Sequence, residues 1–471
     1  MSESAEPQLY QSRIPIHPRS IKGKFRTFKT GVLVLAYAVF FLLPWLRWDR
    51  PVGANQAILF DIPERRFYLF DMVIHPQDMY WLAVLLIIAA WLLFFVTGLV
   101  GRAFCGYFCF QTLWTDLFMF VERWVQGDRP ARMRLLKAPW NGEKTTKIGL
   151  TWLIWFLIAV WSGFTFTAYW VDAPTLFVEF FTLQAPTPAY ITTGLLTLTT
   201  FVMAGLAREQ VCIYMCPYSR FQTVMFDKET LLVSYDYPRG EAEKGRAHLG
   251  KGLKTQEERH AAGVGDCIDC GLCVQVCPTG IDIRKGLQIA CISCGLCIDA
   301  CDEIMAKQGW PKGLIRYASE TEIETGKKPS LLKFRTIGYG VALTAAFIGL
   351  TYGVLSRTPV EFSVNQVRQP LFVSLADGRV QNSYELKIQN KTMNELDMAL
   401  SVEGLEGVEI EYGGNVSQMK VPAEGHRNFL VRLKMPAQNA TGQQPFRFVI
   451  HDKGGALGQF ERTAMFNSPN R

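Results

Sequence analysis

The sequence predicts an α-helical membrane protein with five transmembrane helices, a cysteine-rich insert before the fifth and an all-β sandwich after it. Three observations carry this. Of the 471 residues, 49% are hydrophobic and only 19% charged, against about 25% charged in soluble domains. Five uncharged apolar runs approach the roughly 20 residues needed to cross a 30 Å hydrocarbon layer. All 12 cysteines fall between Cys105 and Cys301, too few and too clustered for a disulfide scaffold. The same composition excludes a disordered chain. The net charge of +7 fits cytoplasmic loops of a membrane protein, so no nucleic-acid partner is expected.

The runs cover residues 30–46, 79–101, 148–171, 189–207 and 336–356. The first is short and contains Pro44. Trp45 and Trp48 supply interfacial anchors at its end, and no small-residue cleavage site marks a signal peptide, so it reads as a retained helix. Lys and Arg fix the orientation because basic loops stay in the cytoplasm. Arg13, Arg19, Lys22, Lys24 and Arg26 precede the first span, and loop 102–147 carries eight basic residues. Loop 172–188 carries none, and loop 47–78 has four basic against five acidic residues. The N-terminus is therefore expected inside the bacterial inner membrane and the C-terminal domain in the periplasm. The division is 1–29 as a cytoplasmic segment, 30–207 as four membrane helices, 208–335 as the cytoplasmic insert, 336–356 as the fifth helix and 357–471 as the periplasmic domain. Every cysteine then lies on or at the edge of the reducing side, where thiols stay available to metals.

The last domain shows period-2 stretches at residues 384–388, 428–433 and 445–450, separated by turns at Asp377-Gly378, Gly413-Gly414-Asn415 and Lys453-Gly454-Gly455. Several short strands in about 110 residues indicate an immunoglobulin-like sandwich, here without a cysteine pair. His426 and His451 read as ordinary sandwich residues rather than metal ligands. His75, near the outer end of the second span, is likewise not read as a quinol or copper ligand, and the aromatic residues around the spans form belts.

The insert reads Cys267-Ile-Asp-Cys270-Gly-Leu-Cys273-Val-Gln-Val-Cys277-Pro278, then Cys291-Ile-Ser-Cys294-Gly-Leu-Cys297-Ile-Asp-Ala-Cys301. This is a doubled C-x2-C-x2-C-x3-C run, in which three cysteines wrap one [4Fe-4S] cube and the fourth reaches the other. Cys267, Cys270, Cys273 and Cys301 are assigned to the first cluster, and Cys277, Cys291, Cys294 and Cys297 to the second. Gly271 and Gly295 relieve the backbone where it passes the cubes. Zinc needs only C-x2-C pairs and does not account for the repeated third cysteine. The fold class is thus a five-span membrane protein with a bacterial-type 2[4Fe-4S] ferredoxin insert and an immunoglobulin-like sandwich. Arg284 and Lys285, between the motifs, could offset the negative charge of the thiolate-bound cubes or receive an acidic electron donor, but read first as part of a solvated basic face.

Cys105-Gly-Tyr-Phe-Cys109 follows the second span and Cys212-Ile-Tyr-Met-Cys216-Pro217 the fourth. On continuing helices, cysteines at i and i+4 share a face, so two helices at equal depth would present four thiols to one another. Such a site suits Cu(I) or zinc, a further iron-sulfur cluster, or dithiol redox chemistry.

The stretch Gly101-Arg102-Ala103-Phe104-Cys105-Gly106-Tyr107-Phe108-Cys109, with Gln111-Thr112-Leu113-Trp114-Thr115 behind it, resembles the FixG/RdxA/CcoG family of cytochrome oxidase accessory proteins. So do the doubled ferredoxin run through Asp302-Glu303 and the following Gly313-Leu314-Ile315-Arg316-Tyr317. The resemblance spans essentially the whole chain. It implies assembly of the cbb3-type haem-copper oxidase, with the protein acting as a cupric reductase that turns Cu(II) into Cu(I) at Cys105, Cys109, Cys212 and Cys216. The partners it implies are the lipid bilayer, a cytoplasmic electron donor, and oxidase subunits or a copper transporter or chaperone. The family's Cys-x3-Cys-Pro is matched at Cys212, Cys216 and Pro217, whereas Phe110 stands in place of the first proline. Two other functions compete: quinol-linked respiratory electron transfer, disfavoured by the absence of an intramembrane histidine pair, and an assembly scaffold with structural clusters.

Overall fold

The computed structural model describes residues 15–330, 333–413, 418–455 and 457–469; Arg13 of the basic N-terminal segment and the turn residues Gly414 and Asn415 lie outside them. The chain forms two compact units, Met1–Trp45 with Tyr80–Gly349, and Leu46–Met79 with Leu350–Arg471.

The first unit holds helices α1 (Lys24–Leu42), α2 (Tyr80–Val100), α3 (Ala103–Tyr107) and α4 (Phe110–Gln126), followed by Gly142–Thr167 and Thr187–Thr200. Helix α1 has no side-chain cap of its own at Gly23. Asp299 of the ferredoxin insert supplies one, accepting from the Phe25 and Arg26 amides at 3.2 and 2.8 Å, which satisfies donors that every helix N-terminus leaves open.

Six helices among the described residues are long and apolar enough to cross a membrane: Lys24–Trp45, Pro76–Val100, Ala103–Gln126, Gly142–Thr167, Thr187–Ala207 and Phe334–Leu355. Five correspond to the expected spans. The additional one, Ala103–Gln126, falls in what reads as a basic loop because Asp116, Glu122 and Arg123 interrupt its apolar run. It adds no crossing, since Gly106 near its start lies against Ile292 and Cys294 of the insert, and Asp128 just past its end accepts from Ser20, next to Arg19, whose amide donates to Gln275 of the same insert. The Asp116 and Glu122 carboxylates are buried as ion pairs, the condition under which buried charge is tolerated. Asp116 lies 2.9 Å from Arg26, and Glu122 lies 3.0 Å from both Arg132 and Arg208. Trp155 and Trp114 tie α4 to the neighbouring helix, donating to the Phe118 carbonyl and the Ser162 hydroxyl at 3.0 Å each.

The ferredoxin insert is held by an antiparallel pair, Leu232–Tyr235 with Ile315–Ala318, over a core of Val233, Tyr235, Ile283, Ile298, Met305, Leu314 and Ile315.

The second unit is a sandwich of two antiparallel sheets. One has the order Glu409–Tyr412, His426–Pro436, Arg379–Asn390, Val360–Gln366, with Val373–Ser374 also paired to Arg379–Asn390; the other has the order Met419–Val421, Leu396–Glu403, Gln443–Asp452, Phe460–Asn467. Period-2 alternation sends Tyr384, Leu386 and Ile388, then Phe429, Val431 and Leu433, then Phe446, Phe448 and Ile450 into one core between the sheets. Residues 46–79 join this unit, although the division read from the sequence leaves them within the four-helix part. They form a three-stranded sheet, Ile58–Asp61, Arg66–Leu69 and Met72–Ile74, whose Leu59, Tyr68 and Val73 pack with Met393. Buried charges complete the join. His75 Nε2 lies 2.9 Å from Glu424, and Asp78 accepts from Lys391 at 2.9 Å and Arg357 at 2.8 Å.

Candidate metal centres

Both halves of the ferredoxin run fold alike. Asp269 and Ser293 adopt left-handed φ values of 51° and 50°, and Gly271 and Gly295 follow at 64° and 71°. Each glycine then starts a helix, Leu272–Gln275 or Leu296–Lys307. Two left-handed residues around a cysteine curl the chain so that successive thiols face inward. Two cavities result. The first is lined by Cys267, Cys270, Cys273 and Cys301, and the second by Cys277, Cys291, Cys294 and Cys297, with Cys273 also bordering it. These are the two crossed sets expected from the spacing.

Apart from the thiols, the second cavity is walled mainly by Val233, Ile281, Ile283, Ile292 and Leu296. Burial pushes the Cys291 thiol up to about 12 and raises Cys294 and Cys297 as well, so the charge of a bound metal group would be needed to keep four thiolates together there. No three His, Cys, Asp or Glu residues among the described ones are placed to hold a single ion. Four thiols around a wider space fit a cube better than a lone zinc. Cys270 is exposed, whereas Cys267, Cys273, Cys291 and Cys294 are buried. Arg284 is not part of a solvated face. It lines the first cavity and is paired with Asp282, at 2.8 Å, and with Asp269; Lys285 is exposed.

The C-x3-C motifs do not lie on continuous helices. Cys105 is in α3, and the chain turns before α4, leaving Cys109 extended at φ −65°, ψ 126°. Cys212 lies in a π-helical turn, Val211–Met215, and Cys216 is extended at φ −79°, ψ 110° before the helix Pro217–Val224. Each second cysteine donates its amide five residues back, Cys109 to Phe104 at 3.0 Å and Cys216 to Val211 at 2.8 Å. This wide turn, characteristic of functional breaks in helices, replaces the expected i, i+4 face. It forms at Cys109 even though Phe110 stands where Pro217 stands in the other motif. Cys212 nevertheless lies within electrostatic reach of Cys109, Cys105 and Cys216. Burial first, then those thiols, push Cys212 up to about 12.

The two sites touch. Cys105 packs in one apolar cluster with Ile292, Cys294 and Leu296. Beside it, a Cβ on Gly106 would meet the Ile292 carbonyl at 2.7 Å and the Cys294 Cα at 3.0 Å, so α3 lies backbone to backbone on the loop of the second cavity. Tyr107 donates to the Cys294 carbonyl at 2.9 Å, and Tyr317 donates to the Ser293 carbonyl. Cys105 donates to Gln222 at 3.1 Å. Arg102, Gly106, Tyr107 and Tyr317 lie in the stretches that carry the family resemblance and Gln222 outside them, but the sequence by itself assigned none of the five a role in the site. His75 is engaged by Glu424, His426 is exposed and His451 half-buried.

Comparison with known proteins agrees with this architecture. Residues 207–320 match the family model of the 4Fe-4S dicluster domain, and residues 350–469 match that of the IG-like fold at the C-terminus of FixG. Protein RdxA of Cereibacter sphaeroides is 43% identical over 468 residues, covering 96% of this chain and 97% of its own. Protein RdxB of the same organism is 41% identical over 464 residues, covering 97% and 92%. Nitrogen fixation protein FixG of Rhizobium meliloti is 41% identical over 444 residues, covering 87% and 83%.

Proposed function

The chain belongs to the FixG/RdxA family of iron-sulfur electron-transfer proteins, and from that premise we propose that it is a cupric reductase serving assembly of the copper centre of a cbb3-type oxidase. The reaction adds one electron to Cu(II), drawn from a cytoplasmic donor, and yields Cu(I). The observation that carries this reading is the packing of Cys105 against Cys294 and Ile292. It sets the membrane-edge thiols directly on one of the two cysteine-lined cavities. Iron-sulfur clusters, when bound, supply one-electron storage. Cys267, Cys270, Cys273 and Cys301 would hold one, and Cys277, Cys291, Cys294 and Cys297 the other. Cys105, Cys109, Cys212 and Cys216 receive the copper ion as substrate. Their soft sulfur ligands favour Cu(I) over Cu(II) and so add to the driving force. Among the described residues no three of these thiols stand in place for a single ion, so binding requires them to close on the copper, and the turns at Cys109 and Cys216, which hold the second thiol of each pair outside helical geometry, are where that closure would take place. The distribution of Lys and Arg supports an inner-membrane orientation with these thiols at the cytoplasmic edge and the sandwich in the periplasm.

Anaerobically purified, pre-reduced protein mixed with Cu(II) and a chromogenic Cu(I) chelator tests the reading. Cys105→Ser, Cys212→Ser and Cys216→Ser are each expected to abolish Cu(I) formation while leaving the cluster absorbance intact, because serine is too hard a ligand to replace thiolate. A double variant should be no worse than a single one, since the four thiols act as a unit. Parental rates in all the serine variants would remove copper from these thiols.

A further inference from the structure

Between the second cavity and the four thiols lies a buried cation that neither site explains by itself. Arg102 is 2% exposed. It donates to Gln222 Oε1 and the Cys291 carbonyl at 3.2 Å each, and to the Ile289 carbonyl. All three acceptors are neutral, and no Asp or Glu among the described residues pairs with it. A buried charge left without a counter-charge costs several kcal/mol, so the fold retains Arg102 against a substantial penalty. The groups within its electrostatic reach that can carry negative charge are three thiols, Cys105, Cys212 and Cys291, and the Tyr218 phenol, whose own burial holds it protonated. Gln222, fully buried, accepts from both Arg102 and Cys105 and links the cation to the thiol pair.

The first cavity offers the contrast. Arg284, which lines it, is neutralised by Asp282 and Asp269. The other cation near the second cavity, Lys29, is 4.0 Å from Asp116. Arg259, fully buried beside the first cavity and donating to the Cys267 carbonyl at 2.9 Å, also makes no ion pair among the described residues but lies within reach of the Asp266 carboxylate. Near the second cavity, Arg102 is the arginine that no carboxylate pairs with among the described residues.

We propose that Arg102 is a positioning residue for electron transfer: it is the counter-charge for the group held by Cys277, Cys291, Cys294 and Cys297, and by favouring the more negative, reduced state there it brings the electron to rest beside Cys105. This rests on the electron-transfer reading above and adds an order to it, with the exposed Cys270 side as entry and the Arg102 side as exit. Cluster reduction adds one electron to that group and no proton, and the positive charge of Arg102 stays fixed.

The test is a redox titration of the full chain in detergent, followed by electron paramagnetic resonance with no copper present, on the parental protein, Arg102→Gln and Arg102→Lys. In Arg102→Gln, one of the two cluster signals should move to lower potential. Its oxidised-to-reduced ratio at the parental midpoint should rise at least tenfold, equivalent to 59 mV for a one-electron couple, while the other signal stays in place. Arg102→Lys, which keeps the charge, should stay within threefold of the parental ratio. Unmoved midpoints, or two signals moving equally, would overturn the proposal. Where the glutamine variant loses iron, the lysine variant decides. Parental iron content and midpoint in it uphold the charge role, and a lysine variant that fails alike shows that the guanidinium is a strut for the Ile289 and Cys291 carbonyls. Copper reduction, assayed separately, tells the two levels apart. A parental protein that leaves Cu(II) unreduced refutes the function without touching the midpoint comparison, and unmoved midpoints in a copper-reducing protein refute only the role of Arg102.

Discussion

Replacing Gly106 by alanine tests whether α3 really sits against the second cavity. The new methyl would lie 2.7 Å from the Ile292 carbonyl oxygen, 3.0 Å from the Cys294 Cα and 3.1 Å from the Ser293 carbonyl oxygen. All three are backbone atoms, so no side chain can swing aside. Restoring an ordinary contact of about 3.4 Å requires α3 and the loop to part by roughly 0.7 Å. The Tyr107 bond to Cys294 and the Arg102 bond to Cys291, at 2.9 and 3.2 Å, would stretch beyond useful length. Two weakened hydrogen bonds at about 1 kcal/mol each, with overpacking of about 1–3 kcal/mol, give a loss of about 3–5 kcal/mol. The control is Gly98→Ala in α2, where a Cβ meets nothing within 4 Å and alanine in a helix stabilises by about 0.5–1 kcal/mol. Thermal unfolding of the two variants in the same detergent, with iron and acid-labile sulfide measured on each, makes the comparison. Gly106→Ala is expected to unfold several degrees lower and to lose part of its iron. Equal unfolding midpoints and full iron in both variants would refute the contact.

The crossed ligand sets predict that Cys267→Ser and Cys301→Ser, although 34 positions apart, each lower the iron content from about eight to about four per chain and leave the same residual spectrum; different residual spectra would break the assignment. Asp78→Asn should destabilise the second unit by on the order of 3 kcal/mol, because Lys391 and Arg357 lose their shared buried carboxylate; limited proteolysis of the sandwich reads this, and unchanged resistance would count against it. Burial alone would raise the Asp266 carboxyl, yet bonds from Arg239, His260 and Gln256 hold it below the usual carboxylate range. A folded value below the unfolded one of about 3.9 adds stability above that pH and loses it as pH falls through the folded value. Asp266→Asn should therefore melt lower than the parental protein at pH 7, with the gap closing below about pH 4; a constant gap would contradict the linkage. Alkaline phosphatase fused after Lys453 should be active and after Lys312 inactive, and the reverse pattern would overturn the orientation.

The ferredoxin spacing exposed most of its geometry in advance, because a cube constrains four sulfurs so tightly that sequence intervals nearly determine which cysteine faces which cavity. The C-x3-C pairs exposed their proximity but not their backbone. An i, i+4 spacing implies a shared face only while i→i−4 bonding continues, and at Cys109 and Cys216 the bond runs five residues back instead. The helix Ala103–Gln126 was hidden by Asp116, Glu122 and Arg123, whose partners Arg26, Arg132 and Arg208 lie far away in sequence. Residues 46–79, short strands without a long apolar run, carried no sign that their partners lie beyond residue 350. Arg102 reads in sequence as one more basic residue at a membrane edge. Only the fold shows that it faces inward, between Gln222 and Cys291.

The cap on α1 has a consequence for biogenesis. Its amide donors at Phe25 and Arg26 are satisfied by Asp299, 274 and 273 residues downstream. At about 5–20 residues per second of synthesis, that partner emerges on the order of 14–55 s after the helix it completes. Asp299 lies between Cys297 and Cys301, on the segment that would close around metal. The donors at the start of α1 are thus satisfied only after the second cysteine run has been synthesised and folded.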